Sequence, residues 1–446
     1  MALEKTSTPP QKNAEIALLP APNAWPAELN APRSEQAIRT REQLGLPTDR
    51  PIIASGHQPI LFHPGIVAKL IALDHWSKKT GAAAVWVVPD QDVVDPGLVR
   101  LPKQDGDSLI VESFRIGGVP TEHSPAAVLP AISINADIPK ELESTGSWLM
   151  GYEYESSIAR QFARATIGML CKQLDLQEPA LVFASDLLST DAGTGLLDAM
   201  LADPKAAIES YNASVDRFPN AGVRQLSITE TRIELPLWRL AGDARLPVYV
   251  NLKPGVDFDR QHLIPRGLMM TAIMRAFACD LFIHGTGGYN YDQITEAWFD
   301  GWQGQSIAPI AAASATMRLG FEIPAVPDPD RAVWAAHHAR HDPAMLGDES
   351  LARQKSELVA AIADSKSKGT RTETAKLFAQ LQQLLVEART NNAQTIKRFD
   401  AASRAAQESR KVHAIVSDRT WAFPLYTDQQ MQSLKDAVIR ALGGGG

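Results

Sequence analysis

Residues 51–76 read PIIASGHQPILFHPGIVAKLIALDHW. The apolar run Ile52-Ile53-Ala54 gives way to Ser55-Gly56-His57-Gln58-Pro59, and a second turn follows at Phe62-His63-Pro64-Gly65. Proline is tolerated at the first helical position, so a helix is predicted from about Pro64. Ile66, Val67, Leu70, Ile71, Leu73 and Trp76 recur at helical spacing, and Gly81 ends the pattern. Strand, polar loop and helix in this order is how an α/β fold offers a ligand site at the carboxyl end of a strand.

Working outward, the same alternation continues. Ala83–Val88 is an unbroken run of strand formers, as expected of a parallel strand buried on both faces. It ends in Pro89-Asp90-Gln91-Asp92, with Asp95 just beyond. A right-handed crossover would set these acids beside the first loop. Residues 98–150 read as an insertion, with a strand near 109–111 and loop-marking prolines at 120, 125, 130 and 139. A helix is expected over 155–174, a third buried strand over 180–184, and helices over about 190–217. The segments 234–238 and 246–250 suggest an antiparallel hairpin inserted within 220–262. A final core unit then runs from a helix at 265–277 through a strand at 279–283 to the glycine loop His284-Gly285-Thr286-Gly287-Gly288, with another helix from Tyr291.

The flanks differ. Residues 1–48 read as a proline-rich arm, irregular up to a short helix at 34–44. Beyond 330 the composition shifts to Ala, Arg, Glu, Gln and Lys. Leu351, Leu358 and Ile362 form one stripe, and Leu377, Leu381, Leu384, Leu385, Ala388, Ile396 and Phe399 form another beyond Gly369. Two stripes about a glycine turn predict a helical hairpin over 331–412 with coiled-coil-like packing. A single helix over 371–412 would be roughly 60 Å long, a narrow rod that suggests a homodimer. Residues 413–446, with the aromatic stretch 421–426, are expected to dock on the core, 49–330.

Composition narrows the function classes. The chain has 446 residues, 45% hydrophobic and 21% charged, with a net charge of −7. That balance is ordinary for a globular protein and gives no general attraction to nucleic acid or anionic membranes. No apolar run approaches the roughly 20 residues needed to span a bilayer. No signal peptide is expected at the amino end. Two distant cysteines, Cys171 and Cys279, fit buried thiols in a cytoplasmic protein rather than a disulfide framework.

Three loops hold the candidate chemistry. Glycines let backbone approach a ligand, and a helix amino end offers free N–H groups to a phosphate or carboxylate. Ser55, Gly56, Gln58, Gly65, Lys69, Gln91, Gly285, Thr286, Gly287 and Gly288 are therefore candidate ligand contacts, joined by Asn290, Tyr291 and Asp292 beyond the last loop. His57, His63 and His284 can donate to anionic oxygens or exchange protons. Asp90 and Asp92 can orient an amine, bind a sugar or Mg2+, or act as a base. The run His63-Pro64-Gly65-Ile66 keeps half of the His-x-Gly-His signature of nucleotidylyltransferase-like folds. His337, His338 and His341 have helical spacing but lack a zinc-site partner, so a solvated helix face is expected and no metal site is assigned.

Taken together, SGHQPILFHPGIVAKLIAL (55–73), VWVVPDQDVVD (85–95) and LIPRGLMMTAIMRAFACDLFIHGTGGYNYDQI (263–294) resemble the BshC family, the cysteine-adding enzyme of bacillithiol biosynthesis. Support comes from ELPLWRL (234–240) and DRTWAFPLY (418–426). The resemblance implies an α/β, Rossmann-like parallel-sheet core related to nucleotidylyltransferases, with inserted segments and a C-terminal helical coiled-coil arm that dimerises. Gly56, Gln58 and Gly65 match the family's first loop, Asp90 and Asp92 its acidic segment, and Gly285 and Gly287 its late loop. Gln91 stands for the family's histidine, Thr286 for its proline and Gly288 for its glutamate. It further implies ligase-type joining of an amine substrate, cysteine-like, to an activated carboxylate or sugar, with ATP or another nucleotide and Mg2+ as candidate cofactors. The alternative is a non-catalytic ligand-sensing or scaffold protein acting through a dimerising coiled coil.

Overall fold

A computed structural model describes residues 14–29, 34–105, 108–117, 124–134, 137–253, 256–321 and 328–443. Pro120, the first thirteen residues and most of the glycine tail lie outside these. The chain forms two compact units, one drawn from residues 14–101, 113–319 and 419–443, the other from 102–112 and 320–418.

The strands are β1 (Glu15–Leu19), β2 (Ile52–Gly56), β3 (Ala83–Val88), β4 (Leu98–Asp105), β5 (Ser108–Arg115), β6 (Ala180–Phe183), β7 (Arg232–Ala241), β8 (Ala244–Asn251), β9 (Leu263–Pro265), β10 (Leu281–His284) and β11 (Ile310–Thr316). Six of them form one sheet in the order β1-β11-β10-β2-β3-β6. The five from β11 to β6 run parallel, and β1 closes the edge antiparallel to β11. Residues 52–54 and 85–88 are buried on both faces, which is why those runs carry no polar alternation. The sheet grows from β2 in two directions, to β3 and β6 on one side and to β10 and β11 on the other. The switch in direction lies between β2 and β10, where open α/β sheets leave a crevice.

Local signals set the helix ends. The Pro64–Thr80 helix is capped by His63 and stopped by Gly81 in the left-handed region (φ 70°). The helix expected from 155 begins at Ile158, capped by Ser157. The hairpin at 220–262 is present as β7 and β8, with β9 on the other side of β7.

Several expectations are corrected. Residues 15–19 are not irregular: they form β1, and the alanine-rich Ile310–Thr316, which carries no strand pattern in the sequence, forms β11. The helix after Pro265 begins at Gly267 and passes into a π-turn over Met274–Ala278. Residues 286–288 are the first turn of the Thr286–Gln303 helix rather than a loop. Its N-cap, Gly285, has extended backbone (φ −81°, ψ 172°), so the chain turns into the helix five residues earlier than Tyr291.

In the second unit, Pro329–Ala339 packs on Ala393–Glu408, and Glu349–Ser367 packs on Arg371–Asn391. Ala339, Leu346, Leu351, Leu384, Leu385 and Ala388 form its small core. The single rod expected over 371–412 is broken twice. Asn392 leaves helical geometry (φ −111°, ψ 26°) while its side chain donates to the Ala388 carbonyl at 3.0 Å. Ser409 makes the second break, with its hydroxyl bonded to the Ala406 carbonyl at 3.1 Å. Among the described residues no helix is long and apolar enough to cross a membrane.

Candidate functional site

The three loops singled out by the sequence meet. Gly56, His57, Gln58, His63, Gly65 and Lys69 from the first, Gln91 and Asp92 from the second, and His284 to Gly288 with Tyr291 from the third line one cavity of ≈ 410 Å³. It opens at the carboxyl ends of the parallel strands β2, β3 and β10, where the order of strand addition reverses. That volume suits a small metabolite.

Two helix amino ends face it. At the first, His63 Nδ1 accepts from the Gly65 N–H at 3.1 Å, which leaves the ring proton on Nε2. The backbone here is close-packed: a Cβ on Gly65 would lie 3.0 Å from the Ala315 carbonyl oxygen. At the second, Gly285 has no side chain to cap the Thr286–Gln303 helix. Backbone donors of its first turn therefore remain for a ligand, which is the usual basis of anion binding at such a site.

Lys69 rises from the second turn of the Pro64–Thr80 helix and is 5% exposed. Its ammonium donates to the Gly56 carbonyl. The nitrogen also lies 5.4 Å from the Trp86 ring centroid. Burial pushes its pKa down to about 7. Among the described residues no carboxylate lies within ion-pair distance of it. His57 is held well below the usual histidine range by burial first and then by Lys69, against a small opposing pull from the Gln58 carbonyl. Its Nδ1 faces that carbonyl at 3.4 Å, an acceptor only, so Nε2 is the basic nitrogen.

His284 is fixed from behind. Its Nε2 lies 2.8 Å from Asp292 Oδ2, and its ring stacks on Phe282 with centroids 4.4 Å apart. Asp292 is fully buried and also accepts from Thr271 Oγ1 (2.6 Å), Thr295 Oγ1 (2.5 Å) and Arg275 (3.0 Å). Burial alone would raise the Asp292 pKa, but His284, Arg275 and Thr271 outweigh it and hold it below the usual carboxylate range. An ionised Asp292 accepts the Nε2 proton, so His284 presents Nδ1 as its basic nitrogen.

The acidic segment divides. Asp92 accepts from Gln58 Nε2 at 2.8 Å and pairs with Arg245 at 3.0 Å, so both carboxylate oxygens are engaged. Gln91 is 2% exposed and its side-chain oxygen has no partner among the described residues. Asp90 faces away from the cavity. Its carboxylate accepts from the Ser185 N–H (2.9 Å) and hydroxyl (2.6 Å), and burial raises its pKa to about 6.

Ser55 is likewise off the cavity; its hydroxyl donates to the Ile283 carbonyl at 2.7 Å and ties β2 to β10. Asn290 is exposed, outside the lining. Asp292 acts behind His284 instead of touching the space. Sequence reasoning missed Met270, Thr271, Ser314 and Arg419, which also line the cavity. It also missed Arg275. A signal for that network was present: Thr271 and Arg275, then Asp292, Thr295 and Glu296, are polar groups spaced one helical turn apart.

Among the described residues no cluster of three or more metal-ligating side chains is found, and both cysteines are buried free thiols. No protein-family model matches this chain, and the search of curated proteins gives no match.

Proposed function

We propose that the cavity is the active site of a BshC-like ligase that binds a nucleotide or other anionic small molecule and joins to it an amine, cysteine-like in kind. The observation that supports this most directly is His284, held by Asp292 at the mouth of an uncapped helix. An anionic group would bind the free N–H groups in the first turn of the Thr286–Gln303 helix. The amine would attack the activated carboxylate carbon and form a C–N bond as the leaving oxygen departs. His284 Nδ1 would take the proton the amine loses, a role geometry favours over Asp90 and Asp92, whose oxygens are already engaged. Gln91 offers an unfilled acceptor to hold the amine. ATP or another nucleotide, with Mg2+, would supply activation.

A thermal-shift screen of ATP, CTP, UDP-sugars and cysteine, with and without Mg2+, tests this. A ligand present at a hundred times its dissociation constant stabilises the fold by about 2.7 kcal/mol. His57→Ala and Gly287→Val should remove that shift. Unchanged binding in both variants would sink the reading.

A second reading is a ligand-sensing or scaffold protein whose helical arm forms a coiled-coil homodimer. Val359, Phe378 and Val386 support it, being exposed apolar side chains on the Glu349–Ser367 and Arg371–Asn391 helices. Light scattering on wild type and a triple serine variant at these positions separates the two readings. A dimer lost in the variant, with no ligand shift in either, favours the scaffold.

A further inference from the structure

Lys69 is chemically different from every other group in the cavity. Its side chain is almost wholly buried, and its nitrogen reaches the floor of the crevice between β2 and β10. Among the described residues the acceptor it meets is a neutral carbonyl, that of Gly56. Asp92, the carboxylate that lines the same space, is occupied by Gln58 and Arg245. Burial is what opposes a positive charge on Lys69, against the Trp86 face 5.4 Å from the nitrogen, and the neighbouring His57 is itself held in the low range and supplies no negative charge. A lysine so placed, with its pKa pushed down to about 7, is substantially populated as the free amine near neutrality, with a lone pair available. A carboxylate or phosphate alone would be served better by a permanently charged side chain. A neutral amine beside an anion-binding helix end suits a ligand with two different functions: an anionic group for the helix end and a carbonyl for the amine.

We propose that Lys69 forms a reversible imine with an aldehyde or ketone that carries a carboxylate or phosphate. The nitrogen adds to the carbonyl carbon, giving a carbinolamine. The nitrogen gives up its protons as the former carbonyl oxygen gains two and leaves as water, so that amine and carbonyl become imine and water with no change of oxidation state. His284 Nδ1 and His57 Nε2 are the groups that relay these protons. The anionic end of the ligand lies against the first turn of the Thr286–Gln303 helix, beside Gly285, where an added Cβ would lie 3.9 Å from Lys69 Cδ. This inference rests on the anion-binding half of the function proposed above and adds a substrate class and a covalent step to it.

The test uses the full chain with glyoxylate or glyceraldehyde 3-phosphate, reduced in place with cyanoborohydride. Peptide mass spectrometry should find the secondary amine concentrated at Lys69, at least tenfold above any surface lysine, and inorganic phosphate should compete. The Lys69→Met variant should lose the adduct while still unfolding cooperatively, at a melting temperature no lower than that of the wild type. Adducts spread evenly over surface lysines, with Lys69 unlabelled, would overturn the inference. If phosphate still shifts the melting temperature in that case, anion binding stands and only the imine fails. If neither is seen, both fall.

Discussion

Two buried ionisable groups, Asp292 and Lys69, are handled in opposite ways. Asp292 meets His284, Arg275, Thr271 and Thr295, and stays ionised below its ordinary range. Lys69 meets one backbone carbonyl and is pushed down to about 7. A buried charge is tolerated when every lone pair or proton has a partner, and neutralises when it does not. The difference separates framework from reactive group: Asp292 fixes a histidine, whereas Lys69 is left unfinished at the cavity floor.

The sharpest way to break this contrast is Asp292→Ala. It would leave Arg275 and His284 without their shared partner, and removing one member of a buried pair costs about 3–5 kcal/mol. Urea denaturation should show that loss. A change below about 1 kcal/mol would mean the network is not the framework described.

Lys69→Met should act in the other direction. The folded-state pKa, about 7, lies below the ordinary 10.5. Between those values the unfolded chain binds more protons, so wild-type stability rises with pH across that window. Below pH 7 the wild type bears the whole cost of burying the ammonium; above 10.5 it bears none. Lys69→Met removes the cost. Its advantage over wild type should therefore be greatest below pH 7 and shrink toward pH 10.5, by roughly 3–5 kcal/mol in all. Denaturant midpoints of both proteins across that range decide it, and a pH-independent difference would contradict the buried free amine.

These two groups also show what was legible in the sequence. The alternation of apolar runs, glycines and helical spacing places β2, β3, β6 and β10 and the loops after them, because a doubly buried sheet leaves no other pattern. The three loops could be named for the same reason. β1 and β11 were not legible: Glu15–Leu19 is an edge strand in a proline-rich arm, and Ile310–Thr316 is mostly alanine, a weak strand former. Their place comes from pairing with each other and with β10. Side-chain direction was legible least. Asp90 and Asp92 are two residues apart in one acidic segment, yet one bonds to Ser185 and the other lines the cavity. Only the packing of the β6 end decides which.

Asp90 provides the third test, midway between the two extremes. It is buried and has Ser185 as its donor, and its pKa rises from 3.8 to about 6. Between those values the folded chain binds more protons than the unfolded one. Wild-type stability relative to Asp90→Asn should be greatest below pH 3.8 and fall as pH rises to 6, by roughly 2–3 kcal/mol. Because Asp90 faces away from the cavity, ligand shifts should be the same in both proteins. A variant that lost ligand binding while remaining folded would return Asp90 to the site.

The smallest expected effect concerns two adjacent glycines. A Cβ on Gly288 would sit 2.7 Å from His284 Nδ1 and 3.2 Å from its Cβ and Cγ. The ring cannot retreat, since Asp292 holds it on one edge and Phe282 on one face. Gly288→Ala should cost about 1–3 kcal/mol as an overpacked position. A Cβ on Gly287 would meet nothing within 4 Å, and this residue lies in the first helical turn. Gly287→Ala should be neutral or stabilising by about 0.5–1 kcal/mol through helix propensity alone. The pair thus measures how firmly Asp292 holds His284, using two methyl groups one residue apart. Equal denaturant midpoints for the two variants would mean that the imidazole moves freely, and His284 would then have no claim to be a positioned base.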